Sequence, residues 1–428
     1  MIAGILFISL ILFLLLSVPI GVSLGLSSLA VITTQNPISM ETFVQAMIQG
    51  LNSFPLMAVP LFTFAGEVMG KGGISRRLID VSSLLTGRFT GGLGIVTIIT
   101  SLFFAAIAGT GSAAVAAIGL IMIPTMVTKG YDKGYASALV ATAGTVGVII
   151  PPSVCMVVYA VAAGASISGL FMAGIVPGIL IGIGLIIYSV IYSKKHGYKG
   201  ENKKYTAKEA AKTIISAIPG LMMPVIILGG IYGGIFTPTE AAAIAGIYGV
   251  LIGIYVYKEI KYQDLLYLAF RSVLMSAPVL LIIGISTGFG RILTITQVPS
   301  AIANMILGIT NSKILVLLLI NVLLLIVGTF METNAAIIIL TPILLPIVTM
   351  LGVDLIHFGI IVVMNLSIGF ITPPLGANLF MACQVGEISF DELVKKIWPW
   401  IFVMIVLLMM ITYIPEISLF LPKALGMI

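Results

Sequence analysis

The chain has 428 residues, of which 60% are apolar and only 8% are charged, and its net charge is +6. Soluble domains carry about 25% charged residues, so this composition excludes an ordinary soluble protein. Residues 134–193 contain no Asp, Glu, Lys, Arg or His, and one bilayer crossing needs roughly 20 apolar residues. The sequence therefore predicts an all-α polytopic membrane protein.

The first part of the chain predicts two spans and an interfacial helix. Residues 2–34 are uncharged and predict a retained first span, because no basic residue precedes the apolar run as in a signal peptide. Residues 42–70 predict a second span, interrupted at Pro55 and Pro60. Residues 71–92 mix basic and acidic residues with Leu and Ile at the spacing of an amphipathic helix at the membrane surface.

A hairpin and a broken helix are predicted next. Residues 93–128 are uncharged and carry a Gly-Thr-Gly-Ser stretch at 109–112, which predicts two half-helices meeting at a polar tip. Pro151 and Pro152 then stand side by side in an apolar stretch. Because proline has no backbone N–H, the helix is expected to open there. A span near 170–193 follows.

A basic loop separates the two halves of the chain. Residues 194–212 hold seven lysines and two glutamates, a local charge of +5. Short Lys-rich loops between membrane spans are expected on the cytoplasmic side. Topology explains the loop, so no nucleic-acid partner is predicted.

The second half repeats this order. Its predicted segments are spans at 213–236 and 241–257, a mixed stretch at 258–271, an apolar stretch at 272–290, an amphipathic stretch at 292–312, a hairpin at 314–350, a broken helix at 358–386 and a last span at 397–415. The hairpin carries Glu332, Thr333 and Asn334 at its middle, and the broken helix contains Pro373 and Pro374.

The two hairpins with their broken helices are internal copies. A shift of 222 residues superimposes Gly130, Asp132, Gly147, Ile149, Pro151, Pro152, Ala160 and Gly164 on Gly352, Asp354, Gly369, Ile371, Pro373, Pro374, Ala382 and Gly386. Freed backbone carbonyls at membrane depth persist only inside protein or around a polar cavity. Paired broken helices in matching halves indicate a transporter's binding centre, and we expect the repeats to be inverted.

The polar groups at the tips and breaks are the candidate ligands. A sodium ion is a hard cation that prefers oxygen, which freed carbonyls and hydroxyls supply. Half-helix N-termini that face one centre would also favour an anionic group. The candidates are Thr110, Ser112, Gly147, Ile150 and Pro152 in the first half and Thr329, Thr333, Asn334, Gly369, Thr372 and Pro374 in the second.

Several charged residues have two interpretations. Glu332 is the only acid within residues 314–353 and serves either as a proton or cation site or as the hydrogen-bonding tip of its hairpin. Asp132 and Asp354 are expected to cap turns. Arg291 is expected to snorkel to the interface, with contact to a substrate carboxylate as the alternative.

Four further residues are polar within or beside apolar segments. Asn365 and Asn378 flank the second break and predict packing hydrogen bonds, with a place in the site as the alternative for Asn378. Thr237 and Glu240 predict a capping box at a helix start, and the alternative for Glu240 is a proton carrier.

No enzyme is predicted. The sequence has no HExxH motif, no paired intramembrane carboxylates and no plausible Ser-His set. Residues 109–114 fit a dinucleotide fingerprint and residues 21–25 fit a nucleophile elbow, but both lie in apolar membrane runs, where the required context is missing. Cys155 and Cys383 are expected to be free, and two cysteines with two histidines do not supply an ordinary zinc site.

Six stretches of the chain carry a family pattern. They are FPLMAVPLFTFAGEVMGKGGI at 54–74, GTGSAA at 109–114, GVIIPPS at 147–153, TPTEAAA at 237–243, ETNAAIIILTPILLP at 332–346 and TPPLGANLF at 372–380. Together they resemble the large membrane subunit of tripartite ATP-independent periplasmic (TRAP) transporters, the DctM-type permease.

The resemblance implies a function and partners. TRAP permeases use a sodium gradient to import an organic acid, such as a C4-dicarboxylate or sialic acid, delivered by a soluble periplasmic substrate-binding protein. They lie in the bacterial inner membrane beside a small four-helix membrane subunit, expected here as a separate chain. The coupling ion would be Na⁺, and no organic cofactor is implied.

The resemblance also implies a fold and site residues. The fold would be that of the ion transporter superfamily, with a scaffold and an elevator-type transport domain. Sodium would bind at the first tip with Gly147, Ile150 and Pro152, and at the second tip, including Gly328 and Thr329, with Gly369, Thr372 and Pro374. Many members carry Ser where Thr110 stands. The substrate is expected to contact Ser112, Thr333, Asn334 and Asn378.

The expected domain division follows the repeat. It comprises scaffold helices and an amphipathic arm at 1–92, transport-domain segments at 93–170 and 314–388, scaffold helices with the basic loop and a second arm at 171–313, and a C-terminal scaffold helix at 389–428. The alternative function is a stand-alone sodium- or proton-coupled carboxylate carrier or antiporter of the same superfamily, which would need no binding protein.

Overall fold

The computed structural model describes residues 2–108, 111–200, 205–301, 308, 310 and 312–427. Within these residues the chain is helical and contains no β-strand. Thr110 and much of the expected second amphipathic stretch at 292–312 lie outside the described residues.

The first half of the chain contains ten α-helices among its described residues: five precede the first repeat, and the other five begin with it. They are α1 (Ile2–Leu15), α2 (Ile20–Gln35), α3 (Met40–Leu51), α4 (Ala58–Lys71), α5 (Ile74–Thr86), α6 (Gly92–Ala108), α7 (Gly111–Thr128), α8 (Lys133–Thr145), α9 (Val154–Ala163) and α10 (Ile167–His196). Short 3₁₀ turns at Phe54–Met57 and Val146–Val148 precede α4 and follow α8.

The helices of the second half have a similar order. They are α11 (Ala207–Tyr232), α12 (Pro238–Leu251), α13 (Tyr262–Ile295), α14 (Lys313–Phe330), α15 (Thr333–Met350), α16 (Leu355–Gly369), α17 (Ala377–Gly386), α18 (Phe390–Tyr413) and α19 (Glu416–Ala424). A π-helical turn at Ile252–Val256 extends α12.

The prediction of one span over residues 2–34 is wrong. The chain forms α1 and α2, which pack against each other, and the turn between them places Ser17 at a φ of 60°. Proline disfavours the α conformation in the residue before it, so Pro19 ends α1 before the helix can continue. At 14 residues, α1 is about 21 Å long, too short for a hydrocarbon layer of about 30 Å.

Two other boundaries differ from the sequence predictions. The mixed and apolar stretches at 258–271 and 272–290 form one helix, α13, of 34 residues. The helix continues without a break through the charged residues at its start and through Pro278 in its interior. In the second predicted span the interruption lies at Pro55, where α3 and α4 meet at a bend of 58°, whereas Pro60 lies in the first turn of α4, which tolerates proline.

The two predicted hairpins are pairs of helices. Hairpin 1 consists of α6 and α7, and hairpin 2 consists of α14 and α15. Their second limbs cross to the opposite repeat: α7 packs against α17, and α15 packs against α9. Each hairpin therefore closes on the broken helix of the other half.

The two broken helices run in opposite directions. At one end, the Lys133 ammonium at the start of α8 donates to the carbonyl of Glu387, just after α17. At the other end, the Tyr159 hydroxyl on α9 donates to the carbonyl of Leu355, at the start of α16. Antiparallel broken helices are the arrangement that an inverted repeat requires.

The broken helices lie at the centre of the molecule. Every residue of α8 from Gly134 to Thr145 and every residue of α16 from Ile356 to Gly369 is buried. A helix that is apolar on all sides is stable only when protein or lipid surrounds it. These two helices therefore form the centre around which the other elements pack.

The helices can be divided into two groups that pack against each other. The core group consists of α6–α10 and α14–α18, because α10 packs on α6, α8, α9 and α16, and α18 packs on α8, α10, α16 and α17. The flanking group consists of α1–α5 and α11–α13, in which α4 contacts α12 and α13. The expected domain division assigned α10 and α18 to the scaffold, and it stays a prediction.

Eight described helices are long and apolar enough to cross a membrane, or up to nine if the bent pair α3 and α4 forms one span. The end of the molecule that carries Tyr198 is called the basic-loop end. There the Tyr198 carbonyl accepts the N–H of Gly91, and Lys396 pairs with Asp132 at 3.3 Å.

Candidate functional site

The first break, residues 146–153, opens the polypeptide between α8 and α9. Pro151 and Pro152 lack the N–H groups that would bond the carbonyls of Gly147 and Val148 in a continuing helix. The Ser153 hydroxyl instead donates to the Val148 carbonyl at 2.6 Å. It also accepts the N–H of Met156 at 3.4 Å and so caps α9.

The second break, residues 370–376, solves the same problem differently. Phe370 is the repeat equivalent of Val148, and its carbonyl accepts the backbone N–H of Asn378 at 3.0 Å. The Gly369 carbonyl accepts the N–H of Thr372 at 3.1 Å. In both halves the carbonyl four residues before the second proline is thus bonded across the break.

The tip of hairpin 1 is held by close backbone contact. A Cβ on Gly111 would lie 3.0 Å from the carbonyl oxygen of Gly144 on α8 and 3.3 Å from the Asn378 side-chain amide. The Asn378 amide donates to the Ala141 carbonyl at 3.1 Å. The start of α7 is therefore fixed against both α8 and α17.

The tip of hairpin 2 carries a capped helix start. The Glu332 carboxylate accepts the backbone N–H of Ala335 at 3.0 Å and the side-chain amide of Asn334 at 2.8 Å. The Thr333 hydroxyl is buried and has no hydrogen-bond partner among the described residues. The Glu332 side chain is accessible to solvent because it lines a cavity inside the molecule, which is described below.

Hairpin 2 also touches the second break through two glycines. A Cβ on Gly369 would overlap the backbone of Gly328, including its carbonyl oxygen. Only glycine permits this approach of α14 to the end of α16. The backbone oxygens of the tip and of the break are consequently brought close together.

Both tips and both breaks border one central cavity of about 490 Å³. The first turns of α7, α9, α15 and α17 line it from the core group, and the α1–α2 turn, α4 and α13 line it from the flanking group. Its polar lining residues are Thr63, Ser112, Ser276, Glu332, Asn334 and Asn378.

The electrostatics of the cavity favour the binding of a cation and an anion next to each other. A helix N-terminus carries roughly half a positive elementary charge, and four such ends adjoin this cavity. In three of them one N–H is already bonded, to Ser153, Glu332 or Phe370. The Glu332 carboxylate and the carbonyls at the breaks supply negative charge and oxygen lone pairs. Among the described residues, no three His, Cys, Asp or Glu side chains lie close enough together to hold a metal ion.

The structure brings together part of the predicted site. Ser112, Asn334 and Asn378 line the central cavity, and Thr333 is buried beside them at the second tip. The residues that contribute backbone at the breaks or at the second tip are Gly147, Ile150, Pro152, Gly328, Gly369 and Pro374. Thr110 lies outside the described residues.

Three predicted ligands have other contacts. The Ile150 side chain packs against Gly178 on α10. The hydroxyls of Thr329 and Thr372 donate to the carbonyls of Leu325 and Ile368, one turn earlier, at 2.9 and 2.8 Å. A hydroxyl that donates in this way keeps its lone pairs. The hydroxyl oxygens of both threonines can therefore still bind a cation.

Sequence reasoning missed two lining residues and left a third open. Glu332 was interpreted either as a proton or cation site or as the hydrogen-bonding tip of its hairpin, and the hydrogen bonds that its carboxylate accepts from Ala335 and Asn334 agree with the second interpretation. Thr63 and Ser276 line the cavity from α4 and α13. Nothing in their sequence context distinguishes them from ordinary small residues at helix contacts.

The predictions for the remaining polar residues are largely confirmed. Asp132 and Asp354 cap α8 and α16, and Thr237 forms a capping box with Glu240. The side-chain amide of Asn365 donates to Asn321 at 2.7 Å, which is the predicted packing role. Cys155 and Cys383 are free.

This arrangement defines a class of protein. Apolar helices surround two broken helices and one central cavity, and the molecule contains no soluble domain among its described residues. These features are those of a multi-pass membrane transport protein.

The comparisons identify the family. The family described as "Tripartite ATP-independent periplasmic transporter, DctM component" matches residues 7–417. The chain therefore belongs to the DctM family of TRAP transporter large permease subunits, which are multi-pass proteins of the bacterial inner membrane. The resemblance seen in the six sequence stretches is confirmed.

Two relatives and one solved structure illustrate the similarity. The chain is 50% identical over 409 residues to the isethionate TRAP transporter permease protein DctMQ of Oleidesulfovibrio alaskensis, covering 96% of this chain and 64% of that protein. It is 41% identical to the C4-dicarboxylate TRAP transporter large permease protein DctM of Pseudomonas aeruginosa, covering 95% of each. The fold resembles the Alcanivorax borkumensis YdaH transporter, with a TM-score of 0.63, 16% identity and 86% of each chain covered.

Proposed function

We propose that this chain is the large membrane subunit of a sodium-coupled TRAP transporter that imports an organic anion by an elevator movement. The observation that carries the proposal is the central cavity, where four helix N-termini and the oxygens of two broken helices lie between the core and flanking groups. Such a cavity can hold a cation and an anion together, as symport requires.

The sodium ions would bind to backbone and hydroxyl oxygens. In the first half the ligands would come from Thr110 and Ser112 with Gly147, Ile150 and Pro152. In the second half they would come from Gly328 and Thr329 with Gly369, Thr372 and Pro374. Pro151 supports the assignment of Gly147, since it lacks the N–H group that would otherwise bond the Gly147 carbonyl in a continuing helix.

The anion would bind at the helix N-termini. Ser112 on α7, Thr333 and Asn334 on α15 and Asn378 on α17 are hydrogen-bonding residues in the first two positions of helices that begin at or beside the cavity. Helix N-termini bind anionic groups through free N–H groups and the helix dipole. A neighbouring sodium ion would offset part of the cost of desolvating the anion, so each ligand would strengthen the binding of the other.

The moving part would be the core group. The transport segments 93–170 and 314–388 are retained from the sequence-based division, and we add α10 and α18 because they pack on α8 and α16. The flanking group would be the scaffold. The central cavity lies along the boundary between the two groups, where an elevator movement would expose it first to one side of the membrane and then to the other.

The partners would be a periplasmic substrate-binding protein and a small membrane subunit. The basic-loop end would face the cytoplasm by the positive-inside rule, so the binding protein would dock at the opposite end. This chain spans only 64% of the relative named DctMQ, and that name and additional length support a small subunit as the second membrane component.

The solute would be a small organic anion. Isethionate is the first candidate, since the relative named for isethionate is 50% identical. C4-dicarboxylates are the second, and sialic acid is the third. A sulfonate and a carboxylate both present oxygens that helix N–H groups can bind.

Uptake by proteoliposomes would test the proposal. The chain is reconstituted with its small subunit, the binding protein and labelled solute are added outside, and an inward sodium gradient is imposed. We expect accumulation that disappears when choline replaces sodium or when the binding protein is omitted. Equal accumulation without the binding protein would instead favour the stand-alone carrier of the same superfamily, and equal accumulation without sodium would contradict the coupling.

A further inference from the structure

A second cavity lies next to the central cavity, away from the basic-loop end. Its volume is about 630 Å³, and it lies between α3 and α13 of the flanking group and α9 and α15 of the core group. We call it the outer cleft. The half-helix α9 lines it near Val158 and Ala162, in the part of the broken helix farthest from Lys133 at the basic-loop end.

The outer cleft and the central cavity follow the same three helices. On α9 the lining passes from Cys155 in the central cavity to Val158 in the outer cleft. On α15 it passes from Ala335 to Ile338. One helical turn separates the linings, so the cleft is the natural approach to the central cavity from this side.

One cation lies in the outer cleft. Arg291 lines it from α13 and is exposed, and no Asp or Glu occurs among the described lining residues. Its guanidinium makes no ion pair or hydrogen bond with any described residue, whereas Lys71, Arg77, Arg271 and Lys396 pair with acids.

The surroundings of Arg291 are polar. Gln45 and Gln49 line the same cleft from α3 and are exposed, and neither side-chain amide is hydrogen-bonded to a described residue. Thr287 and Thr294 lie on α13 on either side of Arg291. A snorkelling arginine would extend along lipid-facing surface, but this one lies between two packed groups of helices.

We propose that the outer cleft is a separate anion-binding site in which Arg291, with the amides of Gln45 and Gln49, binds the carboxylate or sulfonate of a solute before it reaches the central cavity. The inference rests on the proposed function for the identity of the anion. Along α13, Arg291 is nine residues from Ile282, which lines the central cavity, or about 14 Å. The two sites are therefore successive.

A lone cation in a polar cleft would act mainly on the local concentration of anions. Clefts that carry one sign of charge and have low-dielectric walls raise the local concentration of counter-charged ligands about 10-fold to 1,000-fold. An arginine suits this role because its planar guanidinium can bind two oxygens of a carboxylate or sulfonate at once. Its charge does not depend on pH in the physiological range.

Cysteine labelling tests anion binding without requiring transport. Cys155 and Cys383 are replaced by alanine, and Thr294→Cys provides a reporter one turn from Arg291. The purified chain with its small subunit is labelled with a sulfonate-bearing and a trimethylammonium-bearing methanethiosulfonate reagent. Thr34→Cys, exposed at the end of α2, is the control reporter at the same end of the molecule.

We expect the ratio of anionic to cationic labelling rates to be about tenfold higher at Thr294→Cys than at Thr34→Cys. Arg291→Gln should bring this ratio to the control value, and Arg291→Lys should retain most of it. Isethionate or succinate at millimolar concentration should slow the sulfonate reagent only when residue 291 is basic. An unchanged ratio in Arg291→Gln, or no slowing by either anion, would overturn the proposal.

Uptake then tests whether the site lies on the transport route. In the chain with its native cysteines, Arg291→Gln should lower sodium-driven uptake about tenfold. Lys423→Gln removes an exposed charge on α19 at the same end and should leave uptake unchanged. Full uptake by Arg291→Gln would overturn the route. Absence of uptake by the unmodified chain would contradict the proposed function, while the labelling result would still decide the anion site.

Discussion

The two double-proline breaks are equivalent in sequence but differ in their surroundings. In the first, Pro151 and Pro152 are buried, and Ile150 packs against Gly178 on α10. In the second, Pro374 is exposed and Leu375 is 47% exposed. The duplication supplies the same backbone opening twice, while the neighbouring helices decide which opening can be reached from outside the core group.

The two hairpin tips differ as well. Hairpin 1 begins its second limb with Gly111 and Ser112, whereas hairpin 2 begins with a carboxylate cap at Glu332. Backbone oxygens are therefore common to both halves, but a full negative charge is present at one tip only. Under the proposed function, the first half would be a fixed ion site and the second half would set the charge balance of the cavity.

The largest expected effect comes from closing the gap between a tip and a break. In Gly369→Ala the new Cβ would overlap the Gly328 backbone, which cannot move aside as a flexible side chain would. Overpacking of this kind costs about 1–3 kcal/mol, so sodium-driven uptake should fall at least about tenfold. Uptake is measured in proteoliposomes at equal protein abundance.

Gly229→Ala is the matched control for that substitution. Gly229 lies within α11, and a Cβ there would meet no atom within 4 Å. Its uptake should equal that of the unmodified chain. If both variants transported normally, the contact between hairpin 2 and the second break would not be needed for the site.

The next largest effect tests the negative charge that is present only at the tip of hairpin 2. Glu332→Gln keeps an acceptor for the N–H of Ala335 but removes the negative charge from the cavity. We expect the half-saturating sodium concentration to rise about tenfold, which corresponds to about 1.4 kcal/mol. The measurement is a sodium titration of uptake rate, and an unchanged titration would mean that Glu332 serves only to cap α15.

A smaller effect concerns how the first break is closed. Ser153→Ala removes the donor to the buried Val148 carbonyl, and an unsatisfied buried carbonyl costs about 1–3 kcal/mol. Thermal unfolding of the purified protein should occur at a lower temperature. Ser216→Ala removes an exposed hydroxyl on α11 and should leave the midpoint unchanged; equal midpoints for the two variants would show that the break is held by other contacts.

The smallest effect is expected at the tip of hairpin 1. Ser112→Ala removes one hydroxyl from the central cavity while the carbonyls of the first break remain. The sodium dependence of uptake should weaken about threefold, equivalent to about 0.65 kcal/mol, with no loss of protein abundance. The same sodium dependence at equal abundance would remove Ser112 from the ion site.

Much of the fold could be predicted from the sequence. The uncharged runs and the repeat located both hairpins and both breaks because Pro-Pro pairs and capping acids act locally. The division of residues 2–34 into α1 and α2 was missed, since an uncharged run reads the same for one span as for two short helices. The continuous α13 was missed because mixed charge near a membrane surface does not end a helix.

The site was predictable only in part. Ser112, Asn334 and Asn378 could be identified because they lie at the tips and at a break, where local sequence fixes their position. The contributions of Thr63, Ser276 and Arg291 depend on how the flanking group packs against the core group. That packing brings together segments that are far apart in the chain, so no local sequence pattern predicts it.

The most direct test of the account is a sodium titration of thermal unfolding of the purified protein in detergent. A ligand that binds only the folded state stabilises it by about 2.7 kcal/mol at 100 times its dissociation constant. We predict that the unfolding temperature rises and saturates with sodium but not with potassium at equal ionic strength, and that Gly369→Ala loses this rise while Gly229→Ala keeps it. Equal unfolding temperatures in sodium and potassium would contradict a sodium site built from the two breaks.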